Sequence, residues 1–219
     1  MNIPSGPPSI PVQSRRAGAQ TCQPPRAYYY CLTATLLCQM PPLEGGDARL
    51  PKLLLGNVSA MSLPRPPHPV LSAVALAALY AHAQRDYPNE CCGFVWGPRD
   101  RPVADRATAC DNIQARLHAE NPAHFMRGAR TAYRLDLRDI VVLQESLLSD
   151  TPVRIVYHSH IDGWSHFSDL DQATARVGNE PAYPVEYVIV DIRADGPHGA
   201  RQFAWNTNQR KYVEIGSYD

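Results

Sequence analysis

One stretch limits this chain more than any other. It is Val153-Arg-Ile-Val-Tyr-His-Ser-His160, then Ile161 to Phe167, then Ser-Asp-Leu-Asp171. The run Val153 to Tyr157 is short, apolar and β-branched, which predicts a strand. Side chains at i and i+2 of a strand share a face. A strand that runs on to His160 therefore presents His158 and His160 on one side, where both can hold one ion. Gly163 is placed to turn the chain. Ser168 reads as a helix N-cap, and residues 169–176 suit a helix with Asp171 in its first turn. The fold must contain a strand, a turn and a capped helix that bring two imidazoles and a carboxylate together.

Two imidazoles and one carboxylate are a usual ligand set for a catalytic zinc that leaves one position for water. Water held in this way near pH 7 is a hydrolytic nucleophile. Each piece also has a plain structural reading. S-x-x-D before a helix is a capping box that needs no metal, and an isolated H-x-H is common by chance. Their combination in one short window favours a zinc hydrolase. Such an enzyme needs a general base. Glu90 is the candidate, in Tyr87-Pro-Asn-Glu-Cys-Cys-Gly-Phe-Val-Trp-Gly97, just ahead of an apolar strand-like run. A carboxylate at that strand edge can take a proton from water and return it to a leaving amine. Alone, it would read as a solvated loop-end glutamate.

Glu90 followed by a strand, with His158-x-His160-x7-Ser168-x-x-Asp171 downstream, resembles the JAMM (MPN-plus) metalloprotease family. Tyr-Pro-Asn-Glu-Cys-Cys-Gly is similar to the Y-P-x-E-x-C-G opening of its prokaryotic members. The resemblance covers about residues 70 to 207. It implies a JAMM/MPN-like αβα sandwich, a curved mixed sheet with packed helices. It implies zinc on His158, His160 and Asp171, Glu90 as general acid and base, and Ser168 as donor to the oxyanion or the water. It also implies a substrate with an extended C-terminal tail, a ubiquitin-like or sulfur-carrier protein, cut at a peptide or isopeptide bond. Relatives carry asparagine-rich, cleft-facing loops where this chain has Asn112, Arg116 and 120–123, but a polar connection without substrate contact is the favoured reading there. The family usually has proline after the second histidine, where this chain has Ile161. Some prokaryotic relatives that resemble sulfur-carrier-processing enzymes lack that proline too. The alternative is a non-catalytic MPN-type scaffold, the role of this fold in subunits without the motif.

The rest of the chain bounds these readings. Formal net charge is zero, with no basic block, so nucleic acid is not an expected partner. Residues 1–69 hold 13 of the 21 prolines and show no core-forming period. Residues 1–66 are therefore expected to be a disordered or mis-annotated extension, with the true start at Met61, and 67–219 to be the folded domain. Ala27 to Cys38 is apolar but too short to cross a bilayer, so no membrane association is expected. Cys91, Cys92 and Cys110 make an odd set with no disulfide framework, which suits a reducing cytoplasm. Adjacent Cys91 and Cys92 should face opposite ways, as buried thiols.

The predicted elements begin with a helix from Pro69 to Tyr87, its apolar face on Val70, Val74, Ala77 and Ala81. Strands follow at 91–97 and 102–110. A helix over 136–149, capped by Asp136, carries a stripe of Leu137, Ile140, Val141, Leu147 and Leu148. The histidine strand over 153–160 and a helix over 168–178 come next. Strands at 185–191 and 200–205 close the domain. Trp164 and Phe167 are candidates for an apolar wall beside a peptide, and His166 for a solvated loop residue.

Overall fold

A computed structural model describes residues 68–163 and 165–219. The readings of residues 1–66, of the Met61 start, of Cys22, Cys31 and Cys38, and of Trp164 lie outside the described residues. In chain order the elements are β1 (Val70–Leu71), α1 (Ala73–Asp86), β2 (Cys92–Trp96), β3 (Val103–Ala104), β4 (Arg106–Cys110) and α2 (Gln114–Glu120). Then come α3 (Leu137–Ser146), β5 (Val153–Ile161), α4 (Asp169–Thr174), β6 (Arg176–Val177), β7 (Glu180–Pro181), β8 (Glu186–Arg193), β9 (Gly196–Asn206) and β10 (Lys211–Tyr218). Among these described elements no helix is long and apolar enough to cross a membrane.

Six strands form one mixed sheet in the order β10-β9-β8-β5-β2-β4. Every neighbouring pair is antiparallel except β5 and β8 at the centre. A parallel pair needs a crossover, and here it spans residues 162–185 and includes α4. The H-x-H segment therefore ends at the carboxyl edge of a central strand, just where the chain leaves the sheet. Ligand crevices of open α/β sheets form at such edges.

Alternation along the strands builds two cores. Cys91, Val95, Ile155, Tyr157, Val188, Val190 and Ile192 face the layer that contains Ala75, Leu79 and Ala83 of α1. Cys92, Phe94, Val156, Tyr187, Ile189, Phe203 and Trp205 face the other way, toward Leu143 of α3 and Ala175 after α4. The result is the αβα arrangement, a curved mixed sheet with helices on both faces. Cys91 and Cys92 are buried on opposite faces, as adjacent strand residues must be. Burial pushes the Cys91 and Cys110 thiols up to about 12 and raises Cys92 further. All three are free thiols, too weakly acidic to act as nucleophiles. Gly93 pairs with Tyr157 across the β2–β5 ladder. A Cβ at Gly93 would lie 2.6 Å from the Tyr157 hydroxyl, so only glycine fits beneath that side chain.

Several element boundaries and helix faces differ from the sequence reading. The first helix starts at Ala73 and not at Pro69, because Val70–Leu71 pairs with Val103–Ala104 as a short parallel ribbon. Ser72 is the N-cap and accepts from the Ala75 N–H. Its buried face is Ala75, Leu79, His82 and Ala83, whereas Val70 and Val74 are 58% and 76% exposed. In α3 the core residue is Leu143; Leu137, Val141 and Leu148 face solvent. The second strand breaks into β3 and β4 at Asp105. α4 ends at Thr174, four residues early. α2 and β10 are additional elements.

The rotation of α1 gives a direct test. Leu79 is fully buried, so Leu79→Ala should cost about 2–5 kcal/mol. Val74→Ala, on the exposed face, should stay within about 0.5 kcal/mol of the parent. Chemical denaturation midpoints measure both; a Val74 loss as large as that of Leu79 would contradict this packing.

Candidate functional site

The antiparallel register of β2 and β5 explains why Glu90 belongs with the histidines. Cys92 pairs with His158. Two residues further along this ladder, Glu90 stands opposite His160. Positions 90, 92, 158 and 160 share one face of the sheet by alternation. Ser159, between the two histidines, points the other way and is fully buried. Its hydroxyl accepts the Cys91 N–H at 2.8 Å, and its own N–H donates to the Cys91 carbonyl at 3.1 Å. The H-x-H serine is thus a clamp that fixes the strand carrying Glu90 against the strand carrying both imidazoles.

Glu90 is held from the other side as well. Its N–H donates to the Ala129 carbonyl at 2.8 Å, and its carbonyl accepts from the Asn112 side chain at 2.8 Å. Asn112 also donates to the Ala132 carbonyl and accepts from the N–H groups of Gln114 and Arg134. Its amide is committed to the backbone. It is a positioning residue, in line with the favoured reading of this connection as a structural one. Arg116 pairs with Glu120 and Asp136 on the exposed side of α2.

Asp171 reaches the same face through the loop and helix that follow β5. Asp162 and Gly163 turn the chain with φ of 62° and 106°, the left-handed region that glycine enters at no steric cost. Phe167 then buries among Tyr187, Phe203 and Tyr212, with ring centroids 5.1–5.3 Å apart. It anchors the loop and is not part of a peptide-facing wall. Ser168 begins α4 with a full capping box. Its hydroxyl accepts the Asp171 N–H at 3.2 Å, and its N–H and hydroxyl donate to Asp171 Oδ2 at 2.8 and 2.7 Å. The Gln172 amide bridges the backbone of Tyr212 in β10 through two hydrogen bonds, fixing α4 against the sheet edge.

Four polar atoms meet as a result. His158 Nε2 lies 3.1 Å from His160 Nε2 and 3.3 Å from Asp171 Oδ1. His160 Nε2 lies 3.4 Å from Asp171 Oδ2. Ligand atoms about 2.0–2.1 Å from a tetrahedral zinc sit about 3.3–3.4 Å from one another. These separations of 3.1–3.4 Å are close to that edge, with the two histidines meeting different oxygens of the Asp171 carboxylate. Among the described residues, His158, His160 and Asp171 form the one cluster of three or more such groups that could hold a metal.

The protonation states suit the same use. Full burial lowers the His158 pKa, against the opposing pull of Asp171, so its imidazole is neutral near pH 7. Burial alone would raise Asp171. At the acid pH where this carboxyl titrates His158 is protonated, and its charge with hydrogen bonds from His158, His160 and Ser168 outweighs burial and holds the carboxyl well below the usual range. Neutral imidazole and ionised carboxylate are what metal ligation requires. His158 Nδ1 is buried without a hydrogen-bond partner. The ring of Tyr133 stacks on the imidazole, centroids 4.3 Å apart. The bonding direction left to His158 is Nε2, which points into the cluster.

Glu90 behaves differently from Asp171. It is 6% exposed, and burial raises its pKa to about 7, with Asp171 adding to the rise and His160 and Arg127 opposing it. A cleft of about 280 Å³ opens above these groups, lined by Glu90, Tyr133, His160, Ser168, Asp171 and two arginines, Arg127 and Arg130. Four of the five sequence-predicted residues line the cleft; His158 is fully buried, in contact with His160 and Asp171. His166 is exposed, its ring edge-on to His160 at 6.0 Å. The two arginines and Tyr133 are additions. They sit in irregular chain between α2 and α3, where no period signals a face. Ile161 extends the β5–β8 ladder to Ile192; a proline there would bring no N–H to it.

The family described as prokaryotic homologs of the JAB domain matches residues 72–206. The chain is 27% identical over 136 residues to the CysO-cysteine peptidase of Mycobacterium tuberculosis, covering 61% of this chain and 80% of that protein. It is 32% identical over 122 residues to tail tip assembly protein K of Escherichia phage N15, covering 56% of this chain but only 42% of that protein. A solution structure of a protein from Desulfitobacterium hafniense covers 66% of this chain and 88% of that one, at TM-score 0.46 and 18% identity.

The raised Glu90 pKa predicts a stability effect. A carboxyl whose pKa is higher folded than unfolded binds more protons in the folded state between the two values. Metal-free protein should lose stability from Glu90 as pH rises from 4.5 through about 7. Glu90→Gln should remove that loss, so the variant gains about 1–3 kcal/mol on the parent between pH 5 and pH 8. Denaturation of chelator-treated protein across that range measures it; a gap independent of pH would contradict the burial of an ionisable Glu90.

Proposed function

The chain belongs to the family of prokaryotic JAB-domain homologs, and on that premise we propose that it is a JAMM-type zinc-dependent hydrolase. The bond cut is a peptide or isopeptide bond at the C-terminal tail of a ubiquitin-like or sulfur-carrier protein. The observation that carries the reading is the convergence of His158 Nε2, His160 Nε2 and the Asp171 carboxylate within 3.1–3.4 Å, with buried Glu90 beside them. His158, His160 and Asp171 would hold the zinc. The chemistry such an ion supplies is Lewis acidity, which acidifies water and polarises a carbonyl.

The chain's own residues supply the rest. Glu90 takes a proton from the attacking water and returns it to the leaving amine. A pKa near neutrality serves both steps, since the group must accept and donate at the same pH. Ser168 has one hydroxyl proton, held by Asp171 Oδ2. Turned from that oxygen, it donates to the oxyanion that forms as water adds to the carbonyl. The C–N bond then breaks, leaving a carboxylate on the tail and a free amine. Similarity to a CysO-cysteine peptidase favours a sulfur carrier with a C-terminal amino acid over a lysine-linked chain. We place this reaction in a reducing cytoplasm, where the three buried thiols stay reduced.

Incubation of the zinc-loaded protein with carrier–cysteine adducts should release cysteine, read by mass spectrometry. Glu90→Gln should abolish turnover and keep the zinc. Ser168→Ala should lower kcat by about 10²–10³. Full activity of Glu90→Gln would contradict the proton-transfer role. A zinc-loaded protein that cuts no tail substrate would favour the scaffold reading.

A further inference from the structure

Two arginines line the same cleft as Glu90, His160 and Asp171, and their backbone is fixed by the fold. Arg127 and Arg130 lie on either side of Ala129, which is buried. The Ala129 carbonyl accepts the Glu90 N–H at 2.8 Å, so the turn that bears both arginines is tied directly to the backbone of Glu90. The buried Gln114 side chain donates to the Arg127 carbonyl at 2.6 Å, and the Thr131 N–H donates to the Gly128 carbonyl at 3.2 Å. This is a braced turn that presents two guanidinium groups to the cleft.

Their charges are not consumed by the fold. Arg85, Arg116, Arg193 and Arg201 each pair with a carboxylate within 4.0 Å. Among the described residues neither Arg127 nor Arg130 does. Arg127 gives one donor to the Thr131 carbonyl at 3.3 Å, and both side chains are exposed. Two guanidinium forks beside the reacting centre suit a carboxylate, which they bind through charge-assisted and often bidentate hydrogen bonds. Arg127 lies near enough to Glu90 to lower its pKa but forms no ion pair with it within 4.0 Å, and Asp171 is held by Ser168 and the histidines.

We propose that Arg127 and Arg130 bind the free α-carboxylate of the C-terminal residue that this reaction releases, and so are its specificity-determining residues. This inference rests on the hydrolase reading above and assigns its specificity to two named residues. The leaving group is then one free amino acid, not a lysine side chain on a second protein. Water adds to the carbonyl of the penultimate residue, the C–N bond breaks, and the amine leaves protonated by Glu90. An isopeptide-linked leaving group has no carboxylate at that distance from the bond cut, so the arginines discriminate against it.

The test compares acetyl-Gly-Gly-Cys as free acid and as C-terminal amide. With the zinc-loaded full chain, kcat/KM should favour the acid by about tenfold to a hundredfold. Arg127→Ala and Arg130→Ala should raise KM for the acid, leave the amide unchanged, and be partly rescued by lysine. Binding is measured in parallel by calorimetry on the full-length Glu90→Gln chain with zinc in the buffer. There the acid should bind more tightly than the amide, and the arginine variants should erase the difference. Equal affinity for acid and amide overturns the carboxylate site, whether or not either is cut. If the acid binds selectively but neither peptide nor any carrier adduct is cut, the hydrolase reading fails and the carboxylate site stands.

Discussion

Burying a carboxylate costs several kcal/mol unless hydrogen bonds and opposite charge replace its water. Asp171, with only 10% of its side chain exposed, meets that demand in three ways. The Ser168 N–H and hydroxyl both donate to Oδ2, the start of α4 offers its dipole, and two imidazole nitrogens lie within 3.4 Å. The capping box and the ligand cluster are thus one arrangement. The same carboxylate that starts the helix also closes the cluster, so the structural and metal-binding readings of S-x-x-D do not compete.

The rest of the fold works to bring strand and helix to this point. Ser159 locks β5 to β2 and so fixes Glu90 opposite His160. Phe167 anchors the returning loop in the aromatic core, and Gln172 joins α4 to β10. Asn112 joins the Glu90 backbone to the chain entering α3. The price appears at His158, whose buried Nδ1 has no partner, and at Glu90, whose charge is disfavoured by burial. Residues that strain local rules concentrate at functional sites; here Glu90 lines the cleft and His158 is buried against two residues that do.

Much of this was legible in the chain itself, for identifiable reasons. A β-branched run before H-x-H sets a strand whose alternation cannot be changed without moving every side chain to the other face. Ser168 and Asp171 carry a local capping signal that needs no tertiary context. The helix faces were less legible. Residues 73–80 of α1 are all apolar, so periodicity alone selects no face, and the choice fell to the bulk of Leu79 against the sheet. β10 has exposed, mixed residues typical of an edge strand and no clear alternation. Arg127 and Arg130 lie in irregular chain, and only the backbone bond from Glu90 to Ala129 reveals that they flank the site.

The pre-formed ligand set is most directly tested by zinc content per chain, measured by elemental mass spectrometry on the parent, Asp171→Ala and Ser168→Ala proteins. The alanine at 168 removes the cap but spares all three ligands, which separates loss of the helix start from loss of the site. About one zinc per chain is predicted for the parent and for Ser168→Ala, and much less for Asp171→Ala. No zinc in parent protein purified without chelator, and none taken up on addition, would contradict a metal centre built from His158, His160 and Asp171.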